Sequence, residues 1–314
     1  HCNRNMLIFI HRRLISPLCT LLTKKHKTGA DIRTAAPRRF LFLKCIEQGA
    51  LIASLPALRY LKSTVDEKNV FIAALASVAD LFSAVDIIDS RRLFVIDDRS
   101  GLSLLRELPR LRHWIVANGI DCVIDGEGLS LSSALLLRLL PAVAKVGFVH
   151  PRVPGRGAAA LTHPVEFTDE HISRQFMRLV LVAAGQPAEL PAELYLPRLN
   201  IATQPVSLPA ESRHRPLVLI NPNENDFLLV RKWPLDFYRI LIERLLRETD
   251  AFIALIGTAS ERDTAGRLQT SLPPDLHTRL HSCIGTTTFR QLCGLLQNAR
   301  LLISSDSGPA HFAA

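Results

Sequence analysis

At 314 residues, 48% of them apolar and 21% charged, the chain has the size and composition of two medium globular domains with separate cores. No apolar stretch reaches the ~18–20 residues of a bilayer-spanning helix. The net charge of +9 is concentrated: residues 1–39 hold Arg4, Arg12, Arg13, Lys24, Lys25, Lys27, Arg33, Arg38 and Arg39 against one acid, Asp31. The rest of the chain is nearly neutral, which argues against a nucleic-acid-binding body, whose cations would be spread over a folded face.

Residues 1–37 read as a basic, partly apolar leader. Met6 to Ile10, Leu14-Ile15, Leu18 and Leu21-Leu22 alternate with Arg12-Arg13 and Lys24-Lys25. Such a segment suits peripheral contact with an anionic membrane, or packs its apolar face on the main body. Charges interrupt the apolar run and no small-residue cleavage site follows, so it does not read as a signal peptide. The chain opens on His1, as a piece of a longer protein would. Cys2, Cys19, Cys45, Cys122, Cys283 and Cys293 are scattered without CxxC or histidine partners, the pattern of reduced thiols in a cytoplasmic protein without a metal.

From residue 38 the pattern predicts alternating strands and helices. Strands are expected at Arg39 to Ile46, Val70 to Leu75, Leu93 to Asp97, Asp121 to Asp125 and Lys145 to Val149. Helices are expected at Ala50 to Lys62, Ala79 to Val85, Leu102 to Asn118 and Leu131 to Leu140. Between Gln186 and Pro216 six prolines erase the periodicity, and residues 187–216 read as a linker between domains 38–186 and 217–314. The alternation then restarts. Strands are expected at Leu217 to Asn221, Ala251 to Gly257 and Leu301 to Ser304, with helices at Pro234 to Glu248, Ser260 to Gln269 and Thr287 to Asn298. This is an α/β fold of parallel sheets, with ligands at the carboxyl ends of the strands and in a cleft between the halves.

The chemistry gathers at four strand ends of the second half. Asn221 is followed by Arg231-Lys232-Trp233-Pro234, where two cations beside a helix start suit a diphosphate. Gly257 is followed by Glu261, whose carboxylate suits a ribose diol or simply a helix start. Gly285 precedes Thr286, Thr287 and Thr288, with capping a sufficient role for at least one hydroxyl. Last comes Asp306-Ser307-Gly308-Pro309-Ala310-His311, a strand-to-helix turn able to present backbone N–H groups to a phosphate. In the first half the GxG at Gly155–Gly157 has no strand-to-helix context and reads as a loop; Arg152 and Arg156 there can meet an anionic acceptor. His163 and His171 read as surface residues.

Taken in order, Arg231 to Pro234, Gly257 with Glu261, the run Gly285, Thr287, Phe289, Gln291, Leu292, and Asp306 to His311 resemble glycosyltransferase family 9. Leu55-Pro56-Ala57-Leu58-Arg59 after Gly49 resembles the opening motif of that family. The resemblance covers roughly residues 38–314. It implies two Rossmann-like domains facing across a cleft, the GT-B arrangement, and inverting transfer without a metal or other cofactor. It further implies a nucleotide-diphospho-sugar donor, with heptose the sugar of the best-known members, and a glycolipid or polysaccharide acceptor. Family members continue past the histidine, so the resemblance also implies that the second domain is incomplete here.

The sequence departs from the family in one place. The opening motif has an aspartate after its glycine, the usual base, whereas Ala50 follows Gly49 here. Glu47 at the same turn is the candidate substitute, with Asp97, Asp98, Asp125 and Glu127 in reserve. The loss also leaves open a non-catalytic protein that keeps the nucleotide pocket. A nicotinamide-dependent dehydrogenase is disfavoured, because neither half opens with GxGxxG between strand and helix.

Overall fold

The computed structural model describes residues 38–44, 48–85, 87–98, 100–127, 130–150, 160–187, 190, 201–222, 233–305 and 307–313. They divide into two compact units, His1–Leu199 and Asn200–Ala314.

The first unit is built on six parallel strands: β1 (Phe40–Leu43), β2 (Val70–Leu75), β3 (Leu93–Ile96), β4 (Cys122–Asp125), β5 (Ala144–Val149) and β6 (His163–Glu166). Their order is β3-β2-β1-β4-β5-β6. Phe40 pairs with Val70 on one side and Cys122 on the other, so β1 is central. Its sequence, FLFL, is buried at every position, as a strand covered on both faces requires. The connecting helices are α1 (Gln48–Thr64), α2 (Ala76–Ala84), α3 (Gly101–Ala117), α4 (Leu131–Leu139) and α5 (Ile172–Ala183).

Alternation along the strands assigns the faces. Leu41, Leu43, Phe71, Phe94 and Val123 share one core cluster with Leu111 and Ile115 of α3 and Leu137 of α4. Phe42 points the other way and meets Phe176 of α5, with ring centroids 6.2 Å apart. Phe148 of β5 meets the same ring at 6.4 Å.

The sequence pattern did not predict β6 or α5. β6 is HPVE, with one buried residue, Val165, and a proline that only an edge strand accepts. α5 has a clear apolar stripe (Phe176, Met177, Val180) but follows directly on this weak strand. His171 caps α5, with Nδ1 2.7 Å from Ser173 Oγ, and His163 Nδ1 lies 2.8 Å from Thr162 Oγ1. His171 is exposed and His163 half-buried.

In the second unit, β7 (Leu217–Asn221), β8 (Phe252–Leu255), β9 (Leu280–Ser282) and β10 (Leu301–Ser304) form a parallel sheet in the order β10-β7-β8-β9. β9 is three residues long, below what periodicity detects. The helices are α6 (Leu235–Glu248), α7 (Arg262–Thr270), α8 (Phe289–Asn298) and α9 (Gly308–Ala313). Val218, Ile220, Ile253 and Leu255 pack with Tyr238, Ile242 and Leu246 of α6 and Ala265 and Leu268 of α7. Leu219, Ala254 and Ile256 face Leu295 of α8.

Val206 and Leu208, inside the proline-rich stretch, pack against this second cluster. Gln204 N donates to Arg290 O at 3.1 Å, so the segment around Gln204 to Leu208 lies along α8 as a strap. Prolines erase periodicity without preventing an extended segment from burying its apolar residues.

Two helical glycines give opposed predictions. At Gly294 of α8 a Cβ would collide with the Gln204 carbonyl oxygen, whereas at Gly266 of α7 nothing lies within 4 Å. Gly294→Ala should destabilise by about 1–3 kcal/mol by lifting the strap, and Gly266→Ala should stabilise by up to about 1 kcal/mol. Urea midpoints of the two variants against the parent check both signs.

Candidate functional site at the strand ends

All four strands of the second unit run parallel, so their carboxyl ends reach one edge of the sheet. Neighbouring strands are only about 4.8 Å apart, which brings residues distant in sequence within reach of one small molecule. At β7 and β10, Ser304 stands opposite Asn221 in the ladder. Asn221, 3% exposed, donates through Nδ2 to Ser307 Oγ at 2.8 Å and to Ser304 Oγ at 3.2 Å. The two serine hydroxyls are 2.8 Å from each other, and Ser304 Oγ lies 2.8 Å from Ser305 O. One buried amide therefore fixes the hydroxyls where the chain leaves β10 for α9.

Tyr238, which sequence reasoning missed, closes the network from below. Its hydroxyl donates to Asn221 O at 3.3 Å, and burial pushes its pKa above the ordinary tyrosine value. The aromatic pattern Trp233, Phe237, Tyr238 was the available signal. Trp233 stacks on Phe237 at 5.8 Å and meets Tyr238 edge-on at 4.7 Å, anchoring the start of α6 to the end of β7.

At β8, Glu261 folds back beneath the strand end. Its Oε2 accepts from Thr258 N at 2.8 Å and Thr258 Oγ1 at 2.9 Å, while the residue is 5% exposed. The second oxygen, Oε1, is buried and receives no hydrogen bond from the described residues. A buried acceptor without a donor costs about 1–3 kcal/mol, more when charged, so the arrangement is primed to accept one hydrogen bond. Gly257 makes room, because a Cβ there would lie 2.9 Å from Oε2. Gly285 N donates to Gly257 O at 3.0 Å and joins the β9 end to the β8 end. With φ of 67° and a Cβ position only 2.5 Å from Ala259 Cα, residue 285 must be glycine. Arg262 Nη2 donates to Gly285 O at 2.8 Å and fixes the same junction.

The cap of α8 is Thr288, whose hydroxyl accepts from Gln291 N while Gln291 Oε1 accepts from Thr288 N. Thr287 precedes that cap and is half-buried. Gly308 starts α9, a helix of six residues on which His311 is exposed. Phe312 meets Phe289 at 4.9 Å and ties α9 to α8. Thus Asn221, Gly257, Glu261, Thr287, Ser307, Gly308 and His311 all follow or end strands on this edge. Glu47, Arg152, Arg156, Arg231, Lys232 and Asp306 lie outside the described residues.

The first unit has a matching edge. Lys44, directly after β1, pairs with Glu127 after β4 at 3.1 Å, with both side chains about 95% buried (4% and 5% exposed). Asp125, fully buried, accepts from Ser133 Oγ at 2.9 Å and from Glu127 N at 3.0 Å. These carboxylates belong to a buried network, and Asp97 and Asp98 are half-buried after β3. Ala50, in the first turn of α1, is half-buried. Among the described residues no group of three or more His, Cys, Asp or Glu is placed to hold a metal ion. Burial raises the thiol pKa of Cys122 to about 12 and those of Cys283 and Cys293 to about 11, which leaves them un-ionised.

The family model described as glycosyltransferase family 9 (heptosyltransferase) matches residues 108–314, about two thirds of the chain. A curated relative, lipooligosaccharide heptosyltransferase 2 of Haemophilus influenzae, is 28% identical over 100 residues. That alignment takes in 32% of this chain and 28% of the relative, so the match spans less than a third of the relative's length. Among solved structures, Escherichia coli ADP-heptose lipopolysaccharide heptosyltransferase II superimposes with a TM-score of 0.66 at 18% identity, covering 88% of this chain and 81% of its own. E. coli heptosyltransferase WaaC with ADP-2-deoxy-2-fluoro heptose gives 0.63 at 18%, covering 88% and 85%. A family 9 glycosyltransferase of Veillonella parvula gives 0.61 at 14%, covering 91% and 79%. The fold is therefore that of the GT-B heptosyltransferases.

The Lys44–Glu127 pair carries a stability prediction. Lys44→Met removes the lysine partner of a buried carboxylate and should cost about 3–5 kcal/mol, whereas Lys44→Met with Glu127→Leu should recover most of that loss. Denaturant titration of the two variants measures the recovery, and equal stabilities would show that the pair is not coupled.

Proposed function

The chain belongs to glycosyltransferase family 9, and we propose that it moves a sugar from a nucleotide-diphospho-sugar to a hydroxyl of an envelope glycolipid or polysaccharide. The observation that carries the reading is Glu261, a buried carboxylate with one oxygen tied to Thr258 and the other lacking a donor among the described residues. A ribose hydroxyl supplies such a donor, and the parallel edge continues from there toward Ser307. The relatives are named for ADP-heptose and lipopolysaccharide, which supports an adenosine diphosphate donor carrying heptose.

In this reading the nucleoside lies over Gly257 and Glu261, and the diphosphate runs along the strand ends past Thr287 toward Asp306, Ser307, Gly308 and His311. Arg231 and Lys232, between β7 and α6 in the chain, stabilise charge on the departing diphosphate. The acceptor hydroxyl attacks the anomeric carbon from the opposite face with inversion. As the new C–O bond forms, the bond to the diphosphate breaks and the nucleoside diphosphate leaves with that electron pair. The hydroxyl proton passes to a carboxylate of the first unit. Glu47 is our candidate for that base, with Asp97 and Asp98 in reserve, since Asp125 and Glu127 are held in the buried network. Arg152 and Arg156 meet an anionic acceptor, at the cytoplasmic face of the membrane.

Ala50 supports a second reading, a protein that binds the nucleotide sugar without turning it over. Turnover separates the two. Thermal unfolding with ADP-heptose, ADP-glucose and UDP-glucose should show stabilisation by the ADP series, about 2.7 kcal/mol at a hundredfold excess over Kd. No response to any of the three would contradict donor binding. Transfer by the parent and loss of about a hundredfold or more in Glu47→Gln would support catalysis with that base. Equal rates would remove Glu47, and binding without transfer would favour the second reading.

A further inference from the structure

Among the described residues, Trp233 and Phe237 are the only exposed Trp or Phe side chains, at 42% and 49% exposure. They stand together at the start of α6, stacked with ring centroids 5.8 Å apart and planes 30° from parallel. Trp233 also meets Tyr238 edge-on at 4.7 Å, and the buried Tyr238 donates to Asn221 O at the end of β7. The ring pair is therefore backed by buried structure and joined to the strand-end network, with its outer faces in water. Ile240, 43% exposed, continues the surface one turn beyond Phe237.

Polar groups flank the rings. Asp236, exposed in the first turn of α6, neighbours Phe237 and shares a face with Ile240 four residues on. Among the described residues no donor or cation meets the Asp236 carboxylate, and no acceptor meets the Trp233 indole N–H. The cations of α6 are engaged along the helix instead. Arg239 and Arg247 pair with Glu243 at 3.2 and 3.1 Å, and Arg244 pairs with Glu248 at 3.1 Å. The helix macrodipole accounts for an acid in the first turn, but not for two stacked rings left in water beside it.

We propose that Trp233, Phe237 and Asp236 form a carbohydrate platform, which holds a neutral sugar unit of the acceptor glycan apart from the unit whose hydroxyl reacts. The features of the surface select this occupant. An acyl chain or an apolar helix would bury the Asp236 carboxylate without a donor. An anionic ligand would meet that carboxylate, with the arginines of α6 already paired. A sugar ring answers each requirement. Its C–H groups present an apolar face to the indole and phenyl rings, one hydroxyl donates to Asp236, and another accepts from the indole N–H. Naming the glycan as the acceptor rests on the transfer reading above, whereas sugar binding on the platform needs neither donor nor turnover.

The full chain is titrated with deacylated, dephosphorylated lipopolysaccharide core oligosaccharide, and separately with ADP, by calorimetry and tryptophan emission. The chain has two tryptophans, and Trp114 packs against Phe71 and Phe94 at 5.5 and 5.3 Å, so a change in emission reports Trp233. The oligosaccharide should bind without nucleotide and shift that emission. Phe237→Ala and Asp236→Ala should each weaken it by roughly fivefold or more. Both positions are exposed, so the thermal transition should be preserved. Equal affinity in the parent and these two variants would overturn the platform. So would platform-dependent binding of acylated lipopolysaccharide with no binding of the oligosaccharide, which would make the rings an acyl-chain site. ADP binding by a parent that ignores the oligosaccharide would overturn the platform alone. Oligosaccharide binding by a parent that ignores ADP would contradict the donor assignment and leave the platform standing.

Discussion

Parallel strand pairing is the constraint from which the rest follows. Because β1 to β6 and β7 to β10 each run in one direction, every helix must cross back over a face. Every carboxyl end then arrives at the same edge. Asn221, Gly257, Gly285 and Ser304 are neighbours for that reason, though up to 83 residues apart in sequence. Gly257 lets Glu261 fold beneath the β8 end, and Gly285 lets the chain after β9 approach Ala259 and Arg262. The same constraint gathers the buried carboxylates of the first unit where its strands finish.

The two strand-end networks differ in kind. Asn221, Ser304 and Ser307 satisfy one another, so they define a rigid surface at little cost. Glu261 is satisfied on one side only. An asymmetric buried carboxylate persists when folding holds it there through other contacts, here the Thr258 turn and the Arg262–Gly285 bond. Lys44 and Glu127 show the contrasting case, a buried carboxylate with a charged partner.

Much of this was legible in the sequence. Apolar runs such as VFIAAL and LVLIN located the central strands, and the helix over 131–140 was expected almost to the residue. Short or proline-bearing strands were not legible: β9 has three residues, and β6 has a proline and a single buried side chain. The strap at Val206 and Leu208 was also hidden, since proline-rich sequence carries no period even when it packs. Sequence order placed Asn221, Glu261 and Ser307 at or after strand ends, which is where the structure has them. It could not distinguish Thr287 from Thr288 as the cap, nor see Tyr238 beneath Asn221, because both depend on tertiary distance. Pairing of Lys44 with Glu127 spans 83 residues and leaves no local trace.

Central to the account is a ribose hydroxyl on Glu261. Affinities of ADP and 2′,3′-dideoxy-ADP for the parent and for Glu261→Gln, measured by titration calorimetry, form a closed cycle. The account predicts that removing the ribose hydroxyls weakens binding to the parent by roughly tenfold or more but changes binding to Glu261→Gln little. Equal losses in both proteins would place the ribose elsewhere and contradict the assignment of this edge.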